Sequence, residues 1–574
     1  MPQLNTVWEV ATVEDKLVER ISRECGVSKA LAKVLCARGL TDPQSVQDFL
    51  YPDLHKLHDA FLLPDMDAAA SRLARAIADG EHIRIYGDYD VDGITAVSLL
   101  VSVLRACGAN VDYYIPNRLV EGYGLNADAV TRSAEDGVGL LVTVDCGIGA
   151  FDEVELASSL GLDVIITDHH EPGKSLPTCV AVVDPKRRDC AYPFEGLAGV
   201  GVAFKLASAV WDRYFRQVAE AEPLRYLDLV TLGTVADVVP LVDENRTIVS
   251  HGLSMMERTS NLGIRSLMAV SDLEGRALKA GHISFGLGPR INAAGRLGDP
   301  SLGARLFLTD SEEEANSLAA MLDEENRRRQ EIEMDILRQV WEPVSKMNVR
   351  STGAIVMGSP QWHSGVIGIV ASKIAEMTFR PTVLVAFEGD VGRGSCRSVP
   401  GFNLYEALGE CSDLLLKYGG HAQAAGISIS ADQLDAFRER LNEIGLECLR
   451  RGELVPTMRV DGELAEDEID LELALELSRL EPFGLGNPSP VFVSRNMMVL
   501  ECRQVGPEGR HLKVKLGRGR RVLDAIGFRL SKKLARVAMA AEEVDVAYSL
   551  EVNEWNGRTS VELLLKDLAE SKRL

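Results

Sequence analysis

Ile83-Arg84-Ile85-Tyr86-Gly87-Asp88-Tyr89-Asp90-Val91-Asp92-Gly93-Ile94-Thr95-Ala96 is the stretch that decides how this 574-residue chain is read. The apolar β-type run Ile83–Tyr86 ends in a glycine and three alternate aspartates, and an Ala/Leu-rich helical pattern follows. That order predicts a strand, a tight turn and a helix. The acids then stand at the carboxyl end of a strand, where open parallel sheets place their ligands. Three carboxylates crowded there repel one another unless a cation neutralises them, and a bound metal is the simplest resolution. The alternative is that one aspartate caps the helix and the others are solvated.

Two later stretches have the same form. Gly139-Leu140-Leu141-Val142-Thr143-Val144 leads into Asp145-Cys146-Gly147, and Leu162-Asp163-Val164-Ile165-Ile166-Thr167 leads into Asp168-His169-His170. A fourth potential ligand, Asp237, follows the apolar segment Gly233-Thr234-Val235-Ala236, whose pattern suits helix or strand. Oxygen ligands favour Mg²⁺ and Mn²⁺, and an added imidazole moves the preference toward Mn²⁺ or another transition metal. The set outlines a two-metal hydrolytic centre. Around it the patterns alternate: Ala68–Ala78 is helical, Ile83–Tyr86 strand, Ile94–Ala106 helix and Val111–Ile115 strand. Such alternation means a largely parallel sheet covered by helices, an α/β fold.

Asp90-x-Asp92, Asp145, Asp168-His169-His170 and Asp237, in this order and spacing, resemble the four motifs of the DHH phosphoesterase superfamily. The longer strings Gly87–Ala96 and Gly233–Leu241 resemble the RecJ branch, the bacterial single-strand-specific exonucleases, and the resemblance extends from about Leu50 to near the C-terminus. It implies two α/β lobes, of DHH and DHHA1 type, joined by a long helix, plus a C-terminal OB-like β-barrel. It also implies 5′→3′ polarity on single-stranded DNA, a role in DNA recombination and repair, and a single-strand DNA-binding protein and a DNA helicase as partners.

Composition sets the frame. A chain of this length exceeds one core, so several domains are expected. No run of eighteen apolar residues exists, and the N-terminus lacks the basic-then-apolar pattern of a signal peptide; a cytoplasmic protein with no membrane association is expected. Ten cysteines without a Cys-x-x-Cys pair argue against a zinc ribbon or a disulfide framework, and most are expected to be reduced and buried. The formal charge of −23 points away from a generic nucleic-acid binder. That objection applies to whole-chain totals, since bound ions reverse the sign of an acidic cluster locally.

In chain order the expected division is a helical N-terminal extension (1–65), a catalytic DHH domain (66–300), a long connecting helix (301–348), a DHHA1 substrate-binding domain (349–452) and an OB-like nucleic-acid-binding domain (453–574). Ile115-Pro116-Asn117-Arg118 leaves a strand into a glycine-containing loop that can carry Arg118 to a substrate phosphate. Phe285–Gly298 combines glycines with Arg290, Asn292 and Arg296 at spacings that meet successive phosphates, or else forms a turn-rich connector with salt-bridged arginines. Ser311-Glu312-Glu313-Glu314 makes a capping box for a helix running to about Val340.

Gly392-Arg393-Gly394-Ser395-Cys396-Arg397-Ser398 and Tyr418–Gly426 read as small, flexible, donor-rich segments suited to an anion. The resemblance implies that Gly419-Gly420-His421 faces the metals. Ser395 and Arg397 are assigned to a terminal phosphate, and His421 to the scissile phosphate as a hydrogen-bond donor. After Pro456 the pattern becomes β-rich, and Arg495–Arg536 holds twelve Lys/Arg against three Asp/Glu, a local charge of +9. A basic strand-rich module suits single-stranded nucleic acid.

The expected chemistry is phosphodiester hydrolysis by two ions, Mn²⁺ or Mg²⁺, held by Asp90, Asp92, Asp145, His169 and Asp237, with Asp145 as bridge. Asp88, Asp168 and His170 are expected behind them, orienting ligands or substrate. Two alternatives are a phosphodiesterase of small nucleotides or oligoribonucleotides and a non-catalytic nucleic-acid scaffold. The complete acid set argues against the scaffold.

Overall fold

The structure is a computed structural model and describes residues 6–117, 121–122, 124–506, 509, 511–518, 521–528, 530, 535, 537–539, 541–555 and 557–571. The chain divides into two compact units. One comprises Tyr51–Gln330 with Glu481–Pro488, and the other Met1–Leu50, Glu331–Leu480 and Ser489–Leu574.

In the first unit, β1 (His82–Gly87), β2 (Asn110–Tyr114), β3 (Leu140–Val144), β4 (Asp163–Thr167) and β5 (Ala181–Val183) form an all-parallel sheet in the order β2-β1-β3-β4-β5. β3 is buried along its whole length, as a strand covered on both faces must be. The order reverses between β1 and β3. Such a switch point opens a crevice beyond the strand ends, and there the chain carries Asp88–Asp92 and Asp145.

The helix Val91–Ala106 that follows β1 is buried on nearly every face and packs among the helices Gly199–Val210 and Leu227–Ala236. It starts close against the strand end because Gly93 has no side chain: a Cβ there would lie 2.6 Å from Asp88 N and O. Leu99 and Leu100 are fully enclosed in this core, and truncating either to alanine costs about 2–5 kcal/mol. The segment before Asp237 resolves as helix, Leu227–Ala236.

Phe285–Gly298 is no loop. It forms a π-helical turn, Ile283–Leu287, running into the helix Gly288–Leu297. Its glycines serve packing: a Cβ on Gly295 would meet the Tyr89 carbonyl at 2.9 Å. Two helices occupy the region expected as one connector, Ser301–Leu308 and Glu312–Val344. Half of the capping box forms, since Ser311 Oγ accepts the Glu314 N–H at 3.3 Å, while the Glu314 carboxylate turns away to Thr309 and Arg305.

The second unit holds a mixed sheet and a barrel. β6 (Ile355–Ser359), β7 (Thr382–Glu388), β8 (Val391–Arg397), β9 (Lys417–Gly420) and β10 (Ala424–Ser430) lie in the order β9-β10-β8-β7-β6, parallel only between β6 and β7. The two segments read as flexible loops are thus strands β8 to β10. The Gly-x-Gly alternation of β8 is itself the strand signal: a Cβ on Gly394 would meet Ile427 Cγ1 at 2.5 Å, so glycine lets neighbouring side chains close over that face.

β11 (Phe492–Val505), β12 (His511–Arg518), β13 (Arg521–Gly527), β14 (Glu543–Trp555) and β15 (Arg558–Glu570) close into a five-stranded barrel in the order β11-β12-β13-β15-β14, with β14 returning to β11. Trp555 pairs with Arg558, and Gly557 takes φ 73° before the second strand. Short strands Val7–Val10 and Thr457–Val460 pair in parallel, and Trp8 Nε1 donates to Asp567 on the barrel at 3.1 Å. The extension read as helical therefore opens with a strand, before its helices Asp15–Cys25, Lys29–Ala37 and Pro43–Leu50. The ten cysteines are unbonded, five buried and five half-buried.

Candidate metal centre

Each motif of the parallel sheet reaches the crevice from a different strand end. Asp90 caps the helix Val91–Ala106: its Oδ1 accepts from the N–H groups of Asp92 at 3.0 Å and Gly93 at 3.1 Å. Asp92, one residue into that helix, points the other way. Its carboxylate is 1 % exposed and accepts from Gly199 N at 2.6 Å and Val200 N at 2.7 Å, the first amides of the helix Gly199–Val210. That helix end stabilises the buried charge.

Asp145 sits past β3 at φ 58°, a left-handed conformation that Asp tolerates better than most residues. Its backbone N–H donates to Thr167 O at 3.0 Å, tying the end of β3 to that of β4. Asp168 works as a bracket. Its Oδ1 accepts from the backbone N–H groups of His169 and His170 at 2.8 and 3.1 Å and from His170 Nδ1 at 2.7 Å, and its Oδ2 accepts from Ile148 N at 2.9 Å.

These placements bring the ligand atoms together in three overlapping groups: Asp88, Asp90 and Asp145; Asp92, His169 and Asp237; and Asp145, His169 and His170. Within each group all ligand atoms lie within 4.8 Å of one another. His169 Nε2 is 3.1 Å from Asp145 Oδ1, 3.7 Å from Asp237 Oδ2 and 3.8 Å from Asp92 Oδ2. Neither His169 Nε2 nor Asp145 Oδ1 finds a hydrogen bond despite burial. The hydrogen bond of the ring to the Leu197 backbone therefore falls to Nδ1, the usual support of a metal-bound histidine. Asp88 and His170 stand as near the cluster as the residues expected to ligate.

Electrostatics agree with this donor set. Burial, followed by the charge of His170, takes the His169 imidazole down to about 4, so it is neutral and a free donor at physiological pH. Burial and neighbouring aspartates push Asp92 and Asp145 well above the usual carboxylate range. Burial and Asp90 raise Asp237 to about 7. Burial works against the charge of Asp168, but its bond to His170 outweighs that and holds it below its usual value. Buried carboxylates that resist ionisation together, beside a neutral imidazole with an unbonded nitrogen, are the donor set of a divalent cation with mixed O and N ligands.

The other expected residues fall differently. Arg290 is engaged by Asp323 at 2.9 Å and by the carbonyls of Gly286 and Val270. Asn292 accepts from Val91 N at 3.1 Å and so steadies the aspartate turn, and Arg296 is half-buried at the end of the same helix. Arg118 lies outside the described residues. Ser395 and Arg397 belong to the second unit, where their side chains converge from β8 on the first turn of the helix Ile367–Thr378: a Cβ on Gly368 would lie 3.3 Å from Ser395 Oγ and 3.1 Å from Arg397 Nη2. His421 is exposed at the β9–β10 turn, its N–H donating to Ala424 O at 2.9 Å.

Two contributors escaped the sequence reading. The amides of Gly199 and Val200 were signalled by the glycine spacing of Gly199-Val200-Gly201. Asp184 ends β5 as the other aspartates end β1, β3 and β4; it is fully buried, raised to about 7 by burial, and its Oδ2 finds no hydrogen bond.

Comparison with known proteins gives an independent reading. Residues 82–234 match the DHH family, N-terminal domain, residues 351–445 the DHHA1 domain, and residues 460–567 the RecJ OB domain. The chain is 37% identical over 567 residues to the single-stranded-DNA-specific exonuclease RecJ of Bacillus subtilis, spanning 98% of this chain and 71% of that protein. With its counterpart in Dickeya dadantii it shares 40% identity over 559 residues, 94% of this chain and 95% of that one. Among solved structures, RecJ of Thermus thermophilus in complex with Mn²⁺ matches at a TM-score of 0.85 and 34% identity, over 99% of this chain and 80% of that chain.

Proposed function

The chain belongs to the RecJ family, and from that premise we propose that it is a metal-dependent exonuclease hydrolysing single-stranded DNA from the 5′ end. The observation that carries the reading is the sharing of Asp145 between two of the three ligand groups, together with the unbonded His169 Nε2 at their centre. Asp90, Asp92, Asp145, His169 and Asp237 would hold two divalent ions, Mn²⁺ or Mg²⁺, with Asp145 as the residue common to both. When bound, such ions supply Lewis acidity and make water nucleophilic at neutral pH.

The protein's own groups do the rest. Asp168 fixes the His169–His170 backbone and the His170 ring, so the imidazoles keep their aim while substrate passes. The Gly199 and Val200 amides bond the Asp92 carboxylate and favour its charged form, in part offsetting the burial and neighbouring aspartates that oppose it. Ser395 and Arg397, gathered on a helix N-terminus, receive the terminal 5′-phosphate, and a strand lacking that phosphate is held less well. His421 donates to the scissile phosphate.

The barrel tracks the strand through the basic outer face of β11 to β13, although ion pairs offset part of its charge, Arg495 with Glu463 and Asp545 and Lys515 with Glu501. Family membership supports 5′→3′ polarity and a role in recombination and repair, and we propose with it a cytoplasmic location and a single-strand DNA-binding protein and a helicase as partners. Among the described residues no helix is long and apolar enough to cross a membrane.

The test is a single-stranded DNA labelled at its 3′ end, incubated with the protein and Mn²⁺ or Mg²⁺ and resolved over time beside a blunt duplex. A descending ladder of shortened, still-labelled strands on the single strand alone supports the reading. Immediate release of labelled mononucleotide contradicts the polarity, and an uncut strand with either ion contradicts the activity.

A further inference from the structure

Most non-glycine residues that hold a positive φ among the described residues are Asp or Asn, whose short polar side chains tolerate the left-handed region. Two are not, and they contrast. Phe379 (φ 51°) ends the helix Ile367–Thr378, and its ring packs against the core of the mixed sheet, so burial offsets the strain. Val238 (φ 62°) has no such return: it is β-branched, the type least suited to this conformation, and 60 % exposed. Glycine there would relieve the backbone and sacrifice little packing.

Val238 directly follows Asp237, the C-cap of the helix Leu227–Ala236 and a member of the ligand cluster. The neighbouring π-helical turn Ile283–Leu287 runs into Gly288, where a Cβ would lie 3.5 Å from the Ala236 Cβ, and that turn presents Phe285 at 87 % exposure. An exposed apolar side chain thus adjoins, at Val238, a cluster built for phosphate chemistry. Strain kept next to a reaction centre, unrecovered by packing, marks a group with a task there. The part of a nucleotide that suits an isopropyl group is its base, and a van der Waals contact discriminates little between bases, as sequence-indifferent degradation requires. A β-branched side chain also has few rotamers and is presented rigidly.

We infer that Val238 is a substrate-contact residue, its left-handed backbone presenting the side chain to the base of the nucleotide being cleaved. The inference rests on the single-strand exonuclease reading. Its test compares the parent with Val238→Gly and Val238→Ala by thermal melting, by Mn²⁺ titration calorimetry, and by steady-state kinetics on two 5′-phosphorylated oligothymidylates, one intact and one with abasic residues at its first positions.

Val238→Gly melts no lower than the parent and binds Mn²⁺ equally, yet its kcat/KM on the intact strand falls about tenfold, the scale of one lost apolar contact. On the abasic strand parent and variant become equal. Val238→Ala, which keeps the strain and loses most of the contact, is slowed on the intact strand to a similar degree. Full activity of Val238→Gly on the intact strand overturns the inference, as does an equal loss on the abasic strand. A parallel loss of Mn²⁺ affinity also overturns it, because the residue would then act through Asp237. A parent that cuts neither strand overturns the exonuclease reading itself, whereas a parent that cuts while Val238→Gly cuts equally well overturns the contact alone.

Discussion

The parallel sheet and the mixed sheet each gather polar side chains at one end, and they do it by opposite means. At the parallel sheet, Asp92, Asp145, Asp168 and His169 are all at most 6 % exposed, and burial drives Asp92 and Asp145 up and His169 down. At the mixed sheet, Ser395 and Arg397 are half-buried and His421 is exposed. A buried carboxylate cluster is costly without countercharge, so it is worth building only around a cation. Partly solvated donors cost little while they wait, and an anion can arrive and leave. On the proposed function the first arrangement suits a permanent metal site and the second a transient phosphate site.

The widest gap between the two regions is expected in turnover. Asp145→Asn, which keeps the shape of the shared ligand and removes its charge, lowers kcat by about a thousandfold or more. In metal-free buffer the same variant melts no lower than the parent, because it deletes a charge that burial opposes. A variant that stays active breaks the contrast at its root.

Arg397→Ala is the counterpart on the other sheet. It raises KM for a 5′-phosphorylated strand by about ten- to a hundredfold, the range of a charge-assisted hydrogen bond, with kcat little changed. A strand with a 5′-hydroxyl shows no such difference between variant and parent. An equal effect on both strands would remove the terminal phosphate from the account.

A smaller effect concerns pH. Burial and Asp90 raise Asp237 in the folded, metal-free protein to about 7, above its ordinary value of 3.8. Between those values the folded state binds a proton that the unfolded state has released. The stabilisation is complete below about pH 4 and is lost as pH rises through about 7. With EDTA the protein should therefore melt lower at pH 8 than at pH 5, by more than Asp237→Asn does over the same interval, and the stabilisation by added Mn²⁺ should grow with pH. Matching pH profiles for parent and variant would contradict this.

The least effect is expected on the barrel. Arg503, exposed on β11 beside Lys513 of β12, extends the solvent-facing strategy. Arg503→Ala should reduce the slope of log affinity against log salt by about 0.7, one phosphate contact on a single strand. An unchanged slope would take that face out of the binding path.

The sequence exposed the metal side of the molecule more fully than the phosphate side, for a physical reason. At the parallel sheet each strand and its acids are contiguous, so Ile83–Asp92, Leu140–Asp145 and Asp163–His170 carry both the fold and the chemistry in one short window. What stayed hidden there acts across long separations. The Gly199 and Val200 amides support Asp92 from more than a hundred positions away, and Asn292 supports Val91 from about two hundred.

At the mixed sheet the glycines of β8 and β10 misled, because glycine is a loop former in isolation and a strand residue only when neighbouring side chains fill its place, as Ile427 does at Gly394. The helix Gly288–Leu297 was obscured in the same way, its Gly295 fitting it against Tyr89. The barrel was legible from the β-rich, basic pattern after Pro456, but its closure by β14 on β11 depends on pairing that no local pattern records.

The central claim is that one buried cluster holds two catalytic ions with Asp145 between them. Anomalous diffraction at the manganese edge, from crystals of this protein soaked in Mn²⁺, tests it most directly. The account predicts two peaks among Asp90, Asp92, Asp145, His169 and Asp237, with Asp145 touching both, and the loss of at least one peak in Asp145→Asn. A single peak, or manganese bound away from these residues, would contradict it.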